Sequence, residues 1–392
     1  MNEPGSEQKL TVAVDTWALG TSARNQGIHV YARHLLAHFR EIASRYPVVI
    51  RPYTCAQAEN DANLLSAATG FAPRQTGLLR FSRLWRYGGA CALARVQKPD
   101  LVFSPQCNTL YFGSRVAMVV TIHDLIPVLL PCPSKRIAQT LKLLTWAAAR
   151  YSHAIITDSE SSKKDLINVY GVPESKVSVV YLGYDSTIFN SVPLDPERQK
   201  ILLERLGIRK AYILHHGIVQ PRKNLKRLIE AYRKMLARNR NLDIDLVLAG
   251  ATGWGSEVVV TAAENSAGLP GHVLLPGPVS DSDLSLLVKG ASLAVVPSLY
   301  EGFCLPMVES MACGVPTVAS NASCLPEVSG GVLKYFDPYS VEEMSACMES
   351  VLENQDLSGK LAARGRQKAL SYDWRRCAEQ TLAVLISAGE SL

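Results

Sequence analysis

The feature that most constrains the fold is an alternation of short, apolar, β-branched runs with segments of helical periodicity. This alternation is typical of parallel sheets whose strands are joined by crossover helices, so we predict an α/β protein. Strands are predicted at residues 10–15, 48–53, 101–104, 116–122, 154–157, 177–181, 212–216, 245–249, 272–275, 293–296 and 316–319. Helices are predicted near residues 28–44, 135–150, 159–170, 225–238, 281–289, 305–313, 341–353 and 373–387.

The alternation is interrupted at residues 190–209, where two prolines and a charge-rich stretch separate two sets of elements. A chain of 392 residues is long for one hydrophobic core, so we predict two doubly wound sheets facing each other across a cleft. The predicted parts are a first domain at 1–192, a linker at 193–209, a second domain at 210–371 and a helix at 372–392 that packs back on the first domain. Ligands of such sheets bind beyond the carboxyl ends of the strands, which makes the loops after strands the candidate sites.

The composition excludes several classes of protein. Apolar residues make up 47% and charged residues 19%, which predicts a well-buried globular chain. The net charge of +6 fits an acidic ligand or a membrane surface, but it is too small and too dispersed to indicate nucleic acid binding. The nine cysteines show no CxxC or Cys/His ligand spacing, and neither a signal peptide nor a membrane-spanning run is apparent. We therefore expect reduced thiols and a cytoplasmic protein.

Two adjacent cations, Arg222 and Lys223, stand with Asn224 between a predicted strand and a predicted helix. The positive end of a helix dipole disfavours cations, so a pair of them at this place suits a polyanion such as a diphosphate. A solvated basic loop explains this segment equally well when it is considered alone.

A second segment follows the predicted strand 293–296 and contains Glu301, Gly302, Pro306 and Glu309. Gly302 allows a ligand to approach the backbone closely, and Pro306 suits the first turn of a helix. The two acids could accept hydrogen bonds from sugar hydroxyls. The alternative is one capping acid and one surface acid, but two acids around a glycine loop at a strand end favour a binding site.

These two segments together resemble the family-4 retaining glycosyltransferases of GT-B fold, in which two Rossmann-like domains with doubly wound parallel sheets face each other across a cleft. The resemblance rests on Arg222-Lys223-Asn224 and on the E-x7-E spacing of Glu301 and Glu309. It extends from the loop at Gly27 to Asp373-Trp374 and is greatest toward bacterial mannosyltransferases of polysaccharide assembly.

The resemblance implies a role for each matching residue. Arg222 and Lys223 would neutralise the departing β-phosphate, Glu301 would hold hydroxyls of the transferred sugar, and Glu309 would bind the nucleotide ribose. The other residues implied in donor binding are Gly27, Asn224, Gly302, Phe303, Cys304 and Leu305. The sequence departs from the family at His29 and Cys304, which stand where glycines are usual.

In the first half, His123 and Asp124 end an apolar strand. A His–Asp pair by itself also fits a core histidine paired with its neighbour. The resemblance implies that His123 contacts the transferred sugar near the reacting carbon, and that Asp124 orients His123 or the acceptor. The implied catalytic set is therefore His123, Arg222, Lys223 and Glu301, with no metal and no cofactor.

Three further patterns suggest other chemistry. The glycines of Gly250-Ala251-Thr252-Gly253-Trp254-Gly255 imitate a dinucleotide loop, but no acidic ribose partner follows on a second strand. The D-x-D pairs at 243/245 and 281/283 are better explained by a strand entry and a helix start. The basic and aromatic stretch Arg80–Tyr87 suits peripheral contact with anionic lipid on the inner face of the membrane, or else a solvated helix face.

The predicted function is retaining transfer of a hexose, with mannose favoured, from a nucleotide diphosphate sugar to a glycan or lipid-linked acceptor in polysaccharide synthesis. GDP-mannose is the first choice of donor by resemblance, ahead of UDP-glucose. The alternatives are a nucleotide-sugar epimerase or glycoside phosphorylase of similar architecture, and a sugar- or lipid-binding scaffold without catalysis. A phosphorylase would need a lysine that carries pyridoxal phosphate.

Overall fold

The computed structural model describes residues 9–16, 19, 27–55, 74–76, 98–107, 116–132, 134–264 and 271–391. Two compact units are present, one formed by Met1–Gly183 with Asp373–Leu392 and the other by Tyr184–Tyr372. Each unit is built around its own parallel sheet. The predicted stretch Arg80–Tyr87 and most of the loop before Gly27 lie outside the described residues.

The first unit contains a parallel sheet whose strand order is β3-β2-β1-β4-β5-β6-β7. The order reverses at β1, which pairs with β2 on one side and with β4 on the other. Its strands in the described ranges are β1 (Leu10–Asp15), β2 (Val48–Cys55), β3 (Arg74–Thr76), β4 (Leu101–Ser104), β5 (Ala117–Thr121), β6 (Ala154–Thr157) and β7 (Val177–Val179). Apolar side chains fill both faces of the central strands, as expected for a sheet covered by helices.

The helices of the first unit pack on this sheet. Those within the described part are α1 (Gly27–Ile42), α2 (Ile126–Leu129), α3 (Lys135–Tyr151), α4 (Glu160–Tyr170) and α13 (Trp374–Glu390). The last of them, α13, lies at the end of the sequence and packs on α1. Gly183 allows this arrangement, because a Cβ at that position would lie 2.2 Å from the backbone nitrogen of Trp374.

The second unit contains a parallel sheet of order β10-β9-β8-β11-β12-β13. Its strands are β8 (Ala211–His216), β9 (Ile244–Ala249), β10 (Val273–Gly277), β11 (Leu293–Val296), β12 (Thr317–Ser320) and β13 (Lys334–Phe336). Its described helices are α5 (Pro196–Arg205), α6 (Leu225–Arg238), α7 (Glu257–Glu264), α8 (Asp281–Lys289), α9 (Leu305–Ala312), α10 (Leu325–Ser329), α11 (Val341–Leu352) and α12 (Gln355–Ala369). The strand order reverses between β8 and β11, which are hydrogen-bonded neighbours.

Residues 193–209 differ from the predicted linker, because they contain α5 and belong to the second unit. Asp195 caps this helix by accepting hydrogen bonds from the backbone nitrogens of Glu197 and Arg198, and Pro196 occupies the first turn. Leu202 is buried. The proline and the charges that suggested a break are thus the start signals of a helix.

In the part of the chain that the structure describes, no helix is both long enough and apolar enough to cross a bilayer.

Candidate active site

The two motifs of the second unit meet at the point where its strand order reverses. One motif follows β8 and the other follows β11, and the carboxyl ends of these parallel neighbours lie at the same edge of the sheet. A crevice at such a reversal is the usual ligand site of an open α/β sheet. The backbone nitrogen of Leu299 donates to the carbonyl of Arg222 at 2.8 Å, which ties the two loops together.

The structure brings Arg222, Lys223 and Glu301 into one cluster. Arg222 donates from Nη1 to Oε2 of Glu301 at 2.5 Å, and Lys223 donates from Nζ to Oε1 at 2.6 Å. Ser298 also donates to Oε1 of Glu301, at 2.7 Å. Glu301 and Lys223 are buried, and Arg222 is half-buried. The segment that could have been a solvated loop is therefore part of a buried charge network.

The cluster carries two positive charges and one negative charge. Burial raises the pKa of Glu301, but the charges of Arg222 and Lys223 and the hydrogen bonds from Lys223 and Ser298 outweigh burial and hold the pKa well below its usual value. Glu301 is therefore ionised at neutral pH. The network keeps one positive charge in excess at a strand end, which suits an anionic ligand.

Asn224 joins the two loops instead of pointing away from them. Its backbone has a φ of 59° and leads from the 3₁₀ turn Pro221–Lys223 into α6. The side-chain nitrogen donates to the carbonyls of Pro297 at 3.1 Å and Pro338 at 2.7 Å, and the side-chain oxygen accepts from Arg227 at 2.9 Å. These contacts fix the turn that carries the two cations.

The glycine loop after Glu301 is buried and closes at Cys304, the N-cap of α9. Cys304 has a φ of 74°, in the left-handed region that favours glycine. A glycine would adopt this backbone conformation without strain, whereas the cysteine is strained there. The Phe303 ring packs edge-on against Tyr372 at 5.2 Å, so its side chain serves the core. Leu305 begins α9 and Gly302 precedes Phe303 in the same buried loop.

Glu309 lies on α9 near His216, a residue to which the sequence assigned no role. His216 Nδ1 is 3.6 Å from a carboxyl oxygen of Glu309, and His216 Nε2 is 3.2 Å from Oγ of Ser310. Burial, followed by the charge of Asp281, raises the pKa of Glu309 to about 8. Burial also lowers the pKa of His216 to about 3. The pair is therefore uncharged at neutral pH. His216 could have been identified as a candidate from the sequence, because it stands at the end of the predicted strand β8.

The glycines at 250, 253 and 255, which imitate a dinucleotide loop, have a packing role. A Cβ on Gly250 would lie 2.0 Å from the carbonyl oxygen of Gly217, and a Cβ on Gly255 would lie 2.8 Å from Pro221. Val219 exchanges backbone hydrogen bonds with this loop, accepting from Gly253 at 2.8 Å. The loop after β9 thus supports the turn that carries Arg222 and Lys223.

Replacing Gly250 by alanine should displace this supporting loop and lower both stability and turnover. The added methyl group meets backbone and the residue has a φ of 150°, so we expect a loss of about 1–3 kcal/mol in the free energy of unfolding. Gly359→Ala is the matched control, since a Cβ there meets nothing within 4 Å and α12 gains from alanine. Urea unfolding checks both variants, and equal stability of the two would contradict the supporting role.

The D-x-D pairs have structural partners. Asp245 is buried and accepts from the backbone nitrogen of His272 at 2.9 Å, while Asp243 pairs with Lys210 at 2.5 Å. Asp283 pairs with Arg205 at 2.7 Å, in the first turn of α8. Three of the four acids thus have structural partners, and the fourth, Asp281, lies in the first turn of α8, as the sequence predicted.

His123 and Asp124 belong to the first unit and follow β5. His123 Nδ1 is 2.7 Å from Oδ2 of Asp158, and its Nε2 is 3.0 Å from the carbonyl oxygen of Pro105. A carboxylate and a carbonyl are both acceptors, so the two contacts favour a ring that carries a proton on each nitrogen. Oδ1 of Asp124 accepts from the backbone nitrogen of Ile126 at 2.9 Å, which opens α2.

Asp158 is the residue of this group that the sequence analysis missed. It stands directly after β6, and β6 pairs with the strand that leads to His123. Burial lowers the pKa of His123, but the charge and hydrogen bond of Asp158 and the carbonyl of Pro105 outweigh burial and raise it. The available signal was that His123 and Asp158 each stand directly after a predicted strand. Gly27 begins α1, where a Cβ would meet nothing within 4 Å.

The raised pKa of His123 predicts a pH-dependent contribution to stability. A raised folded-state value means that the stabilisation is fully present below the ordinary pKa of 6.5 and is lost as the pH rises through the folded-state value. Asp158→Asn should therefore destabilise the protein most in acid and less in alkali, and should lower the pKa of His123. Nuclear magnetic resonance titration of the ring and urea unfolding at several pH values measure both effects. An unchanged pKa of His123 in the variant would show that Asp158 does not hold its charge.

Comparison with known proteins agrees with this geometry. The family model described as Glycosyltransferase Family 4 matches residues 25–188, and the model described as Glycosyl transferases group 1 matches residues 200–368. The O-antigen chain mannosyltransferase B of Escherichia coli is 30% identical over 83% of this chain and 84% of its own length. The MMP alpha-(1->4)-mannosyltransferase of Mycolicibacterium hassiacum is 30% identical over 60% of this chain and 54% of its own length.

Solved structures show the same fold. The structure of Anabaena HepE in complex with UDP and glucose aligns with a TM-score of 0.74 at 19% identity, covering 96% of this chain and 100% of that one. WaaG, a glycosyltransferase involved in lipopolysaccharide biosynthesis, aligns with a TM-score of 0.67 at 15% identity, covering 95% of this chain and 99% of that one. With its two parallel sheets and its matches over both units, the chain belongs to the family-4 glycosyltransferases and is a hexosyltransferase of GT-B fold.

Proposed function

We propose that the chain transfers mannose from GDP-mannose to a glycan or lipid-linked acceptor, with retention of the anomeric configuration. The observation that carries the proposal is the buried cluster in which Arg222 and Lys223 share the carboxylate of Glu301. Two cations fixed at the strand reversal supply the positive charge that a departing nucleoside diphosphate requires.

The proposed reaction is a front-face substitution. The acceptor oxygen forms a bond to the anomeric carbon while the bond from that carbon to the β-phosphate oxygen breaks, on the same face of the sugar. The proton of the acceptor hydroxyl passes to the departing phosphate, and the nucleoside diphosphate leaves with the bonding electrons. Arg222 and Lys223 stabilise the charge that develops on this phosphate. Glu301 holds both cations in place and accepts hydrogen bonds from the hydroxyls of the sugar.

The choice of GDP-mannose as the donor rests on proteins that are similar to this chain. The two mannosyltransferases above favour a mannosyl donor, whereas the Anabaena structure contains UDP and glucose. We propose GDP-mannose ahead of UDP-glucose. Glu309, whose carboxyl is half-buried and uncharged, is the proposed partner of the ribose hydroxyls.

A thermal-shift comparison of GDP, GDP-mannose, UDP and UDP-glucose tests the donor. A ligand present at 100 times its dissociation constant stabilises the folded state by about 2.7 kcal/mol, so a bound donor is easily detected. We expect stabilisation by GDP and GDP-mannose. Stabilisation by the uridine pair alone would overturn the choice of base and leave the transfer reaction standing.

We also propose that catalysis needs no metal ion, because Arg222 and Lys223 provide the positive charge that a metal supplies to a diphosphate in other enzymes. Treatment with a chelator should leave the rate of GDP release unchanged, and added Mg²⁺ or Mn²⁺ should not raise it. A loss of rate that either metal restores would contradict metal independence. The same assay with the Lys223→Ala variant shows whether a loss of rate comes from removal of a metal or from loss of a cation in the cluster.

A further inference from the structure

His216 is a buried histidine to which the proposed reaction gives no task. It ends β8, and its ring contacts Glu309 and Ser310 of α9. His216 is 5% exposed, while 17% of the Glu309 side chain is exposed. The histidine therefore lies behind the acid that is the proposed partner of the ribose, in a place that a ligand does not reach directly.

The hydrogen bonds of Ser310 determine which nitrogen of the His216 ring carries the proton. Oγ of Ser310 donates to the carbonyl oxygen of Pro306 at 3.0 Å, as serines within helices commonly do. Its hydrogen is thus used, and it can only accept from Nε2 of His216, which is 3.2 Å away. In the neutral ring the proton is therefore on Nε2, and Nδ1 carries a lone pair.

The lone pair of Nδ1 faces the carboxyl group of Glu309. Nδ1 lies 3.6 Å from Oε2 of Glu309, a distance slightly longer than a hydrogen bond. Two lone pairs that face each other in a buried place repel, so the contact is favourable only when one proton lies between the two atoms. Hydrogen bonds of this kind in a free enzyme often shorten when the ligand binds.

The charged groups that face Glu309 come from several elements. Burial, then Asp281 in the first turn of α8, and also Asp185 before α5, raise the pKa of Glu309 to about 8, while Lys223 lowers it. The carboxyl therefore keeps its proton at neutral pH and loses it as the pH rises through about 8. Above that pH, the pair formed by Glu309 and His216 is an anion beside an anionic ligand.

We propose that His216 is a positioning residue for donor binding, which holds one proton jointly with Glu309. The shared proton fixes the carboxyl group through Oε2, leaves Oε1 to accept from the ribose hydroxyls, and keeps the pair uncharged beside the diphosphate. This inference rests on the proposed function, since it takes Glu309 as the ribose partner. Binding of the nucleoside diphosphate then draws a proton onto the pair when the pH is high enough to remove it.

Isothermal titration calorimetry of the full chain with GDP, and in parallel with UDP, tests the proposal. Titrations in two buffers of different ionisation enthalpy give the number of protons taken up on binding. Near pH 8 the wild type should take up a fraction of a proton per nucleotide. Above this pH its affinity should fall by up to about tenfold per pH unit. The phosphates of the free nucleotide are already ionised there, so they do not supply this signal.

Two variants of His216 separate its two nitrogens. His216→Asn places an amide oxygen near the position of Nδ1, so it should retain the proton uptake. His216→Gln reaches Ser310 with an amide nitrogen but leaves no acceptor at Nδ1. It should lose the proton uptake and weaken GDP binding about two- to tenfold at neutral pH.

His153→Gln is the matched control, in the first unit. Nδ1 of His153 accepts from the backbone nitrogen of Met118 at 3.1 Å, so this variant also loses an acceptor at Nδ1. It should lower stability and leave the affinity for GDP and the proton uptake as in the wild type. Thermal unfolding verifies that each variant folds, and the wild-type titrations decide the matter if a His216 variant does not.

Nucleotide binding by the wild type without proton uptake would overturn the proposal and leave the transfer reaction standing. Equal proton uptake by the wild type and His216→Gln would also overturn it, as would equal losses in folded His216→Asn and His216→Gln. Absence of binding by both GDP and UDP would overturn the proposed function, and this inference with it.

Discussion

Alanine at Lys223 or Arg222 should lower turnover about 100- to 1,000-fold while the fold is retained, because in the proposed reaction each variant removes a preorganised charge from the departing phosphate. Lys223 is buried and donates to Glu301 at 2.6 Å, so its ammonium is fixed before the donor binds. The loss should appear in kcat more than in KM, since the charge on the phosphate develops in the transition state.

Lys226→Ala is the control for this pair. Lys226 is an exposed cation in the first turn of α6 and lies 3.8 Å from Glu230, so its removal should change turnover little. The measurement is the steady-state rate of nucleoside diphosphate release with a saturating donor. Near-normal turnover in both Lys223→Ala and Arg222→Ala would remove the cluster from the mechanism.

Replacing Glu301 by glutamine should reduce both stability and selectivity. The change leaves two adjacent cations without their carboxylate, and breaking a buried ion pair in this way typically costs about 3–5 kcal/mol. Because the charges of Arg222 and Lys223 lower the pKa of Glu301 against the effect of burial, its stabilisation is present above pH 4.5 and is lost as the pH falls. The difference in unfolding free energy between wild type and variant should therefore shrink in acid.

A double variant separates stability from function. Lys223→Met with Glu301→Gln removes one charge of each sign, so it should recover part of the stability that Glu301→Gln loses, but none of the turnover. Discrimination between mannosyl and glucosyl donors should weaken in Glu301→Gln, since the proposed acceptor of the sugar hydroxyls changes from an ionised carboxylate to a neutral amide. Unchanged ratios of kcat/KM for the two donors would contradict a contact between Glu301 and the sugar.

The sheets could be predicted because buried parallel strands are continuous apolar runs. The strands β8 and β11 were found within one residue of their ends on this basis. The helix α5 was missed because its start signals, Asp195 and Pro196, are also the signals of a loop. Three further elements were not predicted, because their sequences show too little apolar periodicity. They are the short strands β3 and β13 and the helix α12.

The proximity of Arg222, Lys223 and Glu301 could be predicted in part, since these residues stand in loops that follow neighbouring strands. Their mutual hydrogen bonds could not be predicted, because they depend on the side-chain placement that the turn at Asn224 enforces. The positive φ of Asn224 and Cys304 is likewise a property of the folded backbone. Asp158 was missed because a contact between adjacent strands requires knowledge of the strand order.

The most direct test of the account is the anomeric configuration of the product that the wild-type enzyme forms from GDP-mannose and a mannoside acceptor. The one-bond carbon–hydrogen coupling at the new linkage, measured by nuclear magnetic resonance, distinguishes the two anomers. The account predicts an α-mannoside with one GDP released per linkage, formed by the wild type and lost with Lys223→Ala. A β-mannoside, or an α-mannoside formed at an undiminished rate by Lys223→Ala, would contradict it.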